Sequence, residues 1–150
     1  MNNMYHEEAE QLVAKGREAL ANEHEYLALN CFEQAIRMEW TPLTCSCLAY
    51  CRAKVKGNYR ESILLARKSL ELEPDNAVHY GNMGRILILS GEVDNGISML
   101  RQGLHHGDDI DIIMELERLG IRKPPLFKKL ARSHPLNKHL GILLSRLGLR

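Results

Sequence analysis

Three sets of residues recur along this chain at one fixed step. Phe32, Ala66 and Leu100 stand 34 residues apart. Ala35, Ser69 and Gly103 keep the same step and are all small. Ile36, Leu70 and Leu104 keep it and are all aliphatic. Gly57 and Gly91 repeat it, and Gly16 and Gly84 lie two steps apart. Residue types that return at a fixed period specify one supersecondary unit built several times. Such a unit has an apolar face that it cannot bury alone, so neighbouring copies stack into one continuous core. The step therefore constrains this chain to an array.

Periodicity shows what each unit contains. Ala9, Leu12, Val13, Gly16, Ala19 and Leu20 follow helical spacing between Glu8 and Ala21, with residues 1–8 left as a frayed end or a first part of the helix. A second helix is predicted over Tyr26–Met38, and a third over Pro42–Val55, with Thr41 as its cap and Pro42 at its first position. Gly57-Asn58 makes the turn into a helix over Tyr59–Leu72, which Pro74 stops. Ala77–Leu89 and Val93–His105 form the next pair, joined at Gly91. Residues 111–119 predict a seventh helix that covers the end of the array. Only 5% of the residues are aromatic and small residues are frequent, which suits closely packed helices better than sheets.

A 34-residue helix–turn–helix period resembles the tetratricopeptide repeat. The residues that carry the resemblance are Leu12, Gly16, Ala28, Phe32 and Ala35 in the first unit. In the second they are Gly57, Tyr59, Ala66, Leu70 and Pro74; in the third, Tyr80, Gly84, Leu87, Gly91 and Leu104. The resemblance implies an all-α, right-handed superhelix of three repeats, at about 9–42, 43–76 and 77–110. With the capping helix this makes a domain over 1–120, and a basic helical extension follows over 121–150. Three positions depart from the pattern: Lys15, and in the second unit Ser46 and Tyr50, where a large apolar and a small residue belong. They leave the register of the third helix open by up to one turn.

In arrays of this family the first helix of each repeat lines a concave groove. Carrying that over places Val13 and Arg17 in the groove from the first unit, Cys47, Cys51 and Lys54 from the second, and Gly81, Arg85, Ile88 and Leu89 from the third. Arg17 and Arg85 occupy equivalent places, two repeats apart. Spaced cations over an apolar floor suit an extended or helical peptide that carries acidic groups. The competing expectation is that both arginines pair with neighbouring acids. Members of the family that clamp chaperone C-termini use a Lys/Asn/Arg set. Here Val13, Arg17, Thr44, Leu48, Val78 and Asn82 stand at those places, so the resemblance does not extend to that class.

Charge divides the chain further. Residues 1–117 hold all 19 acids and 11 bases, a balance of −8, and residues 118–150 hold 9 bases and no acid. The basic residues of the extension include Arg122, Lys123, Lys128, Lys129, Arg132, Lys138 and Arg146. They flank two apolar helical patterns, at Pro125–Arg132 and Pro135–Leu147. The extension is expected to cap the array, or to lie in its groove. The alternative is an amphipathic anchor that docks a partner at an anionic membrane surface. Phe127 is its only aromatic residue, so nucleic acid is not an expected partner. Poorly capped array ends also allow self-association.

No stretch approaches the roughly 18 apolar residues that span a bilayer, and the N-terminus lacks the pattern of a secretory signal. Cys45 and Cys47 project roughly 200° apart on a helix, which disfavours a bridge between them. A reduced, cytoplasmic setting is expected. Cys45, Cys47 and Cys51 lack Cys-x-x-Cys spacing and a nearby His, so no metal is expected. His105-His106 reads as a favourable charge at a helix C-terminus. There is no serine-hydrolase order, phosphate-cradling loop or His-Glu-x-x-His sequence. The expectation is a non-enzymatic protein–protein interaction module or scaffold that uses no cofactor.

Overall fold

The computed structural model describes residues 2–120. The predicted extension over 121–150, with Arg122, Lys123, Lys128, Lys129, Arg132, Lys138 and Arg146, lies outside the described residues. The chain divides after Leu116.

Seven helices and no strand occur among the described residues. They are α1 (Asn2–Ala21), α2 (Glu25–Met38), α3 (Pro42–Lys56), α4 (Tyr59–Leu72), α5 (Ala77–Leu89), α6 (Val93–Gly103) and α7 (Ile110–Arg118). Local chemistry explains their ends. The Thr41 hydroxyl accepts the Thr44 N–H at 3.1 Å, and Pro42 follows it with a fixed φ. At the other end of α3, Gly57 has φ 67°, a left-handed conformation that Gly adopts without strain. Asn76 caps α5 by accepting the Val78 N–H at 3.1 Å. The Asp109 carboxylate caps α7 by accepting the N–H groups of Asp111 and Ile112 at 2.9 and 3.1 Å.

One boundary left open is settled, and one moves by more than a residue. The first helix starts at Asn2, so residues before Glu8 extend α1. The sixth ends at Gly103 rather than His105. The His105 and His106 N–H groups bond Gln102 and Gly103 carbonyls at 2.9 and 3.0 Å, which tightens the chain into turns. His106 then stacks on Tyr80 with ring centroids 4.7 Å apart.

The small positions of the repeat are where helices approach. A Cβ on Gly16 would stand 2.7 Å from the Phe32 ring. A Cβ on Gly84 would stand 2.9 Å from the Gly96 carbonyl oxygen, and one on Gly96 would stand 2.7 Å from the Gly84 oxygen. α5 and α6 thus touch backbone to backbone. Ile112 is fully buried, with its side chain over Gly81 and Gly103, so α7 covers the third helix pair as the sequence predicts.

Two buried clusters share α3. One joins Ala19, Ala28, Leu29 and Phe32 to Cys47, Leu48 and Cys51. The other joins Ala49, Ala53 and Ala66 to Met83, Ile86 and Leu87. This resolves the register of α3. Cys45, Ala49 and Ala53 are fully buried, and Cys45 Sγ lies 3.8 Å from the Leu65 carbonyl of α4. Tyr50, too large for a close-approach position, turns toward α5 instead.

In α4, Ser62 stands one step after Ala28 and one before Gly96. Its hydroxyl is buried and has no hydrogen-bond partner. A buried hydroxyl without a partner costs about 1–3 kcal/mol, and Ala is the better helix former. Ser62→Ala is therefore expected to stabilise the protein by about 1 kcal/mol, a rise in Tm of about 3 °C. Thermal unfolding followed by circular dichroism measures it. An unchanged or lowered Tm would show that the hydroxyl is satisfied in solution.

Candidate binding groove and a buried polar chain

Of the residues expected in the groove, three carry charge and remain accessible. Arg17 is exposed on α1, Lys54 is exposed near the end of α3, and Arg85 is half-buried on α5. Lys54 is taken: its Nζ lies 2.9 Å from the Glu25 carboxylate. This pair lowers the Glu25 carboxyl below its usual range. The arginines differ. Neither Arg17 nor Arg85 has a carboxylate within ion-pair distance among the described residues. Both guanidiniums act electrostatically on the same buried thiol, that of Cys47, where they favour the thiolate. They therefore bear on one region of the array from two different repeats.

The uncharged members lie elsewhere. Cys47 is 3% exposed and Cys51 fully buried, both packed with Phe32 and Leu29. They are core residues and do not offer a groove floor, because this side of α3 is covered by α2. Burial pushes their thiols up to about 11 and about 12, so both stay protonated at neutral pH and are poor nucleophiles and ligands. Ile88 is half-buried and directs Cγ1 toward Gly96 of α6, inside the third helix pair. Val13 is half-buried against the first core cluster. Among the described residues no three His, Cys, Asp or Glu side chains converge in a metal-binding group.

Tyr50 and Asn82 lie against Arg85, and neither was among the residues expected to bind a partner. The Arg85 guanidinium carbon lies 5.4 Å from the centroid of the Tyr50 ring, and Lys54 Nζ lies 6.0 Å from it. One Arg85 N–H donates to Asn82 Oδ1 at 3.4 Å. Behind Asn82 runs a chain of polar contacts into the interior. Asn82 Nδ2 donates to Ser46 Oγ at 3.1 Å and faces Cys47 Sγ at 3.7 Å. Ser46 Oγ lies 2.9 Å from His79 Nδ1 and 3.2 Å from the Leu43 carbonyl. His79 Nε2 lies 2.9 Å from Glu73 Oε2, which also accepts from Asn76 Nδ2 at 2.9 Å.

Donor logic orders this chain. An ionised Glu73 only accepts, so His79 Nε2 carries the proton between them. The Ser46 hydroxyl has one hydrogen and two acceptors in reach, the Leu43 carbonyl at 3.2 Å and His79 Nδ1 at 2.9 Å. With that hydrogen spent on either, Ser46 Oγ accepts from Asn82, whose carbonyl oxygen is left for Arg85.

Serine, histidine and glutamate in contact are the residue types of a nucleophilic triad. The arrangement does not present a nucleophile, because Ser46 and His79 are both fully buried. The signal for the chain lay in the sequence as an irregularity: Ser46 and Tyr50 are the two departures of the second repeat. What they contact, 33 to 36 residues away, was not legible.

Glu73 gives the site a measurable pH dependence. Asn76, and after it His79, hold its carboxyl below the usual range. A carboxyl lower in the folded than in the unfolded state stabilises the fold above its unfolded value, and this contribution is lost as pH falls through the folded value. The unfolded value is about 4.3. Below about pH 4, Tm of the wild-type chain is therefore expected to fall more steeply than that of Glu73→Gln. Parallel acid limbs from pH 6 to 2.5 would show that the carboxylate gains nothing from its partners.

No protein-family model and no curated protein matches the sequence. Solved structures do. The chain is similar to the TPR domain of Sgt2 from Aspergillus fumigatus, with 15% identity and a TM-score of 0.54, over 87% of this chain and 93% of that one. It is also similar to yeast Tom70, with 24% identity and a TM-score of 0.46 over 93% of this chain, and spans about a third (34%) of Tom70's length. The helix pairs repeating at one step, the glycines at their crossings and the likeness to the Sgt2 domain together give this chain a tetratricopeptide-like, all-α repeat fold.

Proposed function

We propose that this protein is a protein-interaction module whose groove binds an acidic segment of a partner protein. One observation carries the reading. Arg17 and Arg85, at equivalent places two repeats apart, lack carboxylate partners among the described residues, although the array around them is acidic. Guanidiniums left without an intramolecular carboxylate keep donors for carboxylates of another molecule. Tyr50 adds an aromatic face beside Arg85 for the apolar part of the ligand. The function is binding rather than turnover. The four free cysteines fit a reducing, cytoplasmic compartment, and no described helix is long and apolar enough to cross a membrane.

The test is fluorescence polarisation with a labelled glutamate-rich decapeptide and the full chain. Each lost charge-assisted contact is worth about 1.5–3 kcal/mol. Reversing both arginines, Arg17→Glu with Arg85→Glu, is then expected to weaken binding by about 100-fold or more. Circular dichroism checks that the variant stays folded. Binding that survives the double reversal would overturn the groove reading.

A further inference from the structure

We propose that Asn82 is a positioning residue for the groove, and that Ser46 behind it sets the direction of the Arg85 guanidinium. The inference rests on the groove reading, in which Arg85 contacts the partner.

Arginine has several free torsions, and ordering them on binding weakens association. Arg85 is held before any ligand arrives, by Asn82 Oδ1 at 3.4 Å and by the Tyr50 ring at 5.4 Å. Asn82 uses one N–H of the guanidinium fork, which has five. Its own side chain is nearly sealed, at 3% exposure. An amide in that place can sit two ways round, and only one of them points an acceptor at Arg85. The choice is made further back. The single Ser46 hydroxyl hydrogen is spent on the Leu43 carbonyl at 3.2 Å or on His79 Nδ1 at 2.9 Å. Ser46 is then left to accept, and the amide must offer it Nδ2. The orientation seen by Arg85 thus depends on the buried Ser46 hydroxyl. Arg17 has no such hold among the described residues, so the two groove arginines differ in kind: one is set in advance and the other adapts.

The experiment is the side-chain heteronuclear NOE of each arginine Nε–H, on the full chain with no ligand. In the wild type, Arg85 is expected to give a value near that of the rigid backbone, and Arg17 a low one. In Asn82→Ala, Arg85 is expected to drop to the level of Arg17. Ser46→Ala, which removes the group that orients the amide, is expected to do the same, and serves if Asn82→Ala does not fold. An unchanged Arg85 value in the variants would overturn the inference. A double-mutant cycle with the glutamate decapeptide gives the second readout. Asn82→Ala is expected to raise Kd about tenfold in the wild type, and not at all on an Arg85→Ala background. An equal loss on both backgrounds would mean that Asn82 only supports the fold, and would overturn the inference while leaving the groove reading intact. Absence of peptide binding in the wild type, with the NOE response preserved, would reject the groove reading and keep the positioning of Arg85.

Discussion

Phe32→Ala is expected to lower the stability of this protein by about 3–5 kcal/mol, the range for a fully buried aromatic cut back to a methyl. Phe32 has no exposed surface and lies against Gly16, whose missing side chain makes room for the ring. It also joins α2 to Leu48 and Cys51 of α3, within the cluster that ties the first helix pair to the second. Gly16, directly against the ring, has no side chain to move into the void. Domains of this size hold about 5–15 kcal/mol in total. The variant is thus expected to be partly unfolded at physiological temperature. Urea titration measures the loss, and Tyr26→Ala on the same helix is the control. Tyr26 is 78% exposed, so that substitution is expected to shift stability by less than about 0.5 kcal/mol. A loss under about 1 kcal/mol for Phe32→Ala would mean that the first repeat is not packed as described.

His79→Leu is the second large effect, expected at about 2–4 kcal/mol. Leucine keeps most of the volume and no polar atom. Its cost comes from the groups left behind. The Ser46 oxygen loses its histidine contact in a fully buried place and keeps the Leu43 carbonyl and Asn82, and Glu73 loses a donor. Glu73 is 43% exposed at its side chain and can turn to water, so the loss that matters is inside. This makes a second expectation. The Ser46–His79 contact is lost once in either single change, Ser46→Ala or His79→Leu, so the pair is expected to cost about 1 kcal/mol less than the sum of the two. Chemical denaturation of the four proteins closes the cycle. Strict additivity would show that the serine and histidine do not act as one network.

The repeat made most of the fold legible. Helix ends at Pro42, Gly57, Asn76 and Gly91 follow from residue chemistry that acts within four positions. The tight crossings at Gly16, Gly84 and Gly103 follow from the period. The site was legible only for its charges. Arg17, Lys54 and Arg85 are accessible cations; Lys54 pairs with Glu25, and neither arginine has a carboxylate within ion-pair distance among the described residues. Cys47, Cys51 and Ile88 fit the groove by register and turned out to be covered by neighbouring helices.

The sequence by itself determined the unit, its length, the helix pair within it and the small positions where helices meet, because each is a property of local chemistry or of one period. Tertiary structure alone decided what α3 does. That helix packs against α2, α4 and α5 together, so it has no single apolar stripe for periodicity to reveal. A rotation by one residue, about 100°, moves a side chain from one neighbour to another. The Ala49 methyl meets the core while Tyr50, one position on, meets Arg85. Contacts that span 33 to 36 residues, such as Ser46 with His79 and Asn82, depend on that rotation in both helices at once. Spacing along the chain carries no record of it.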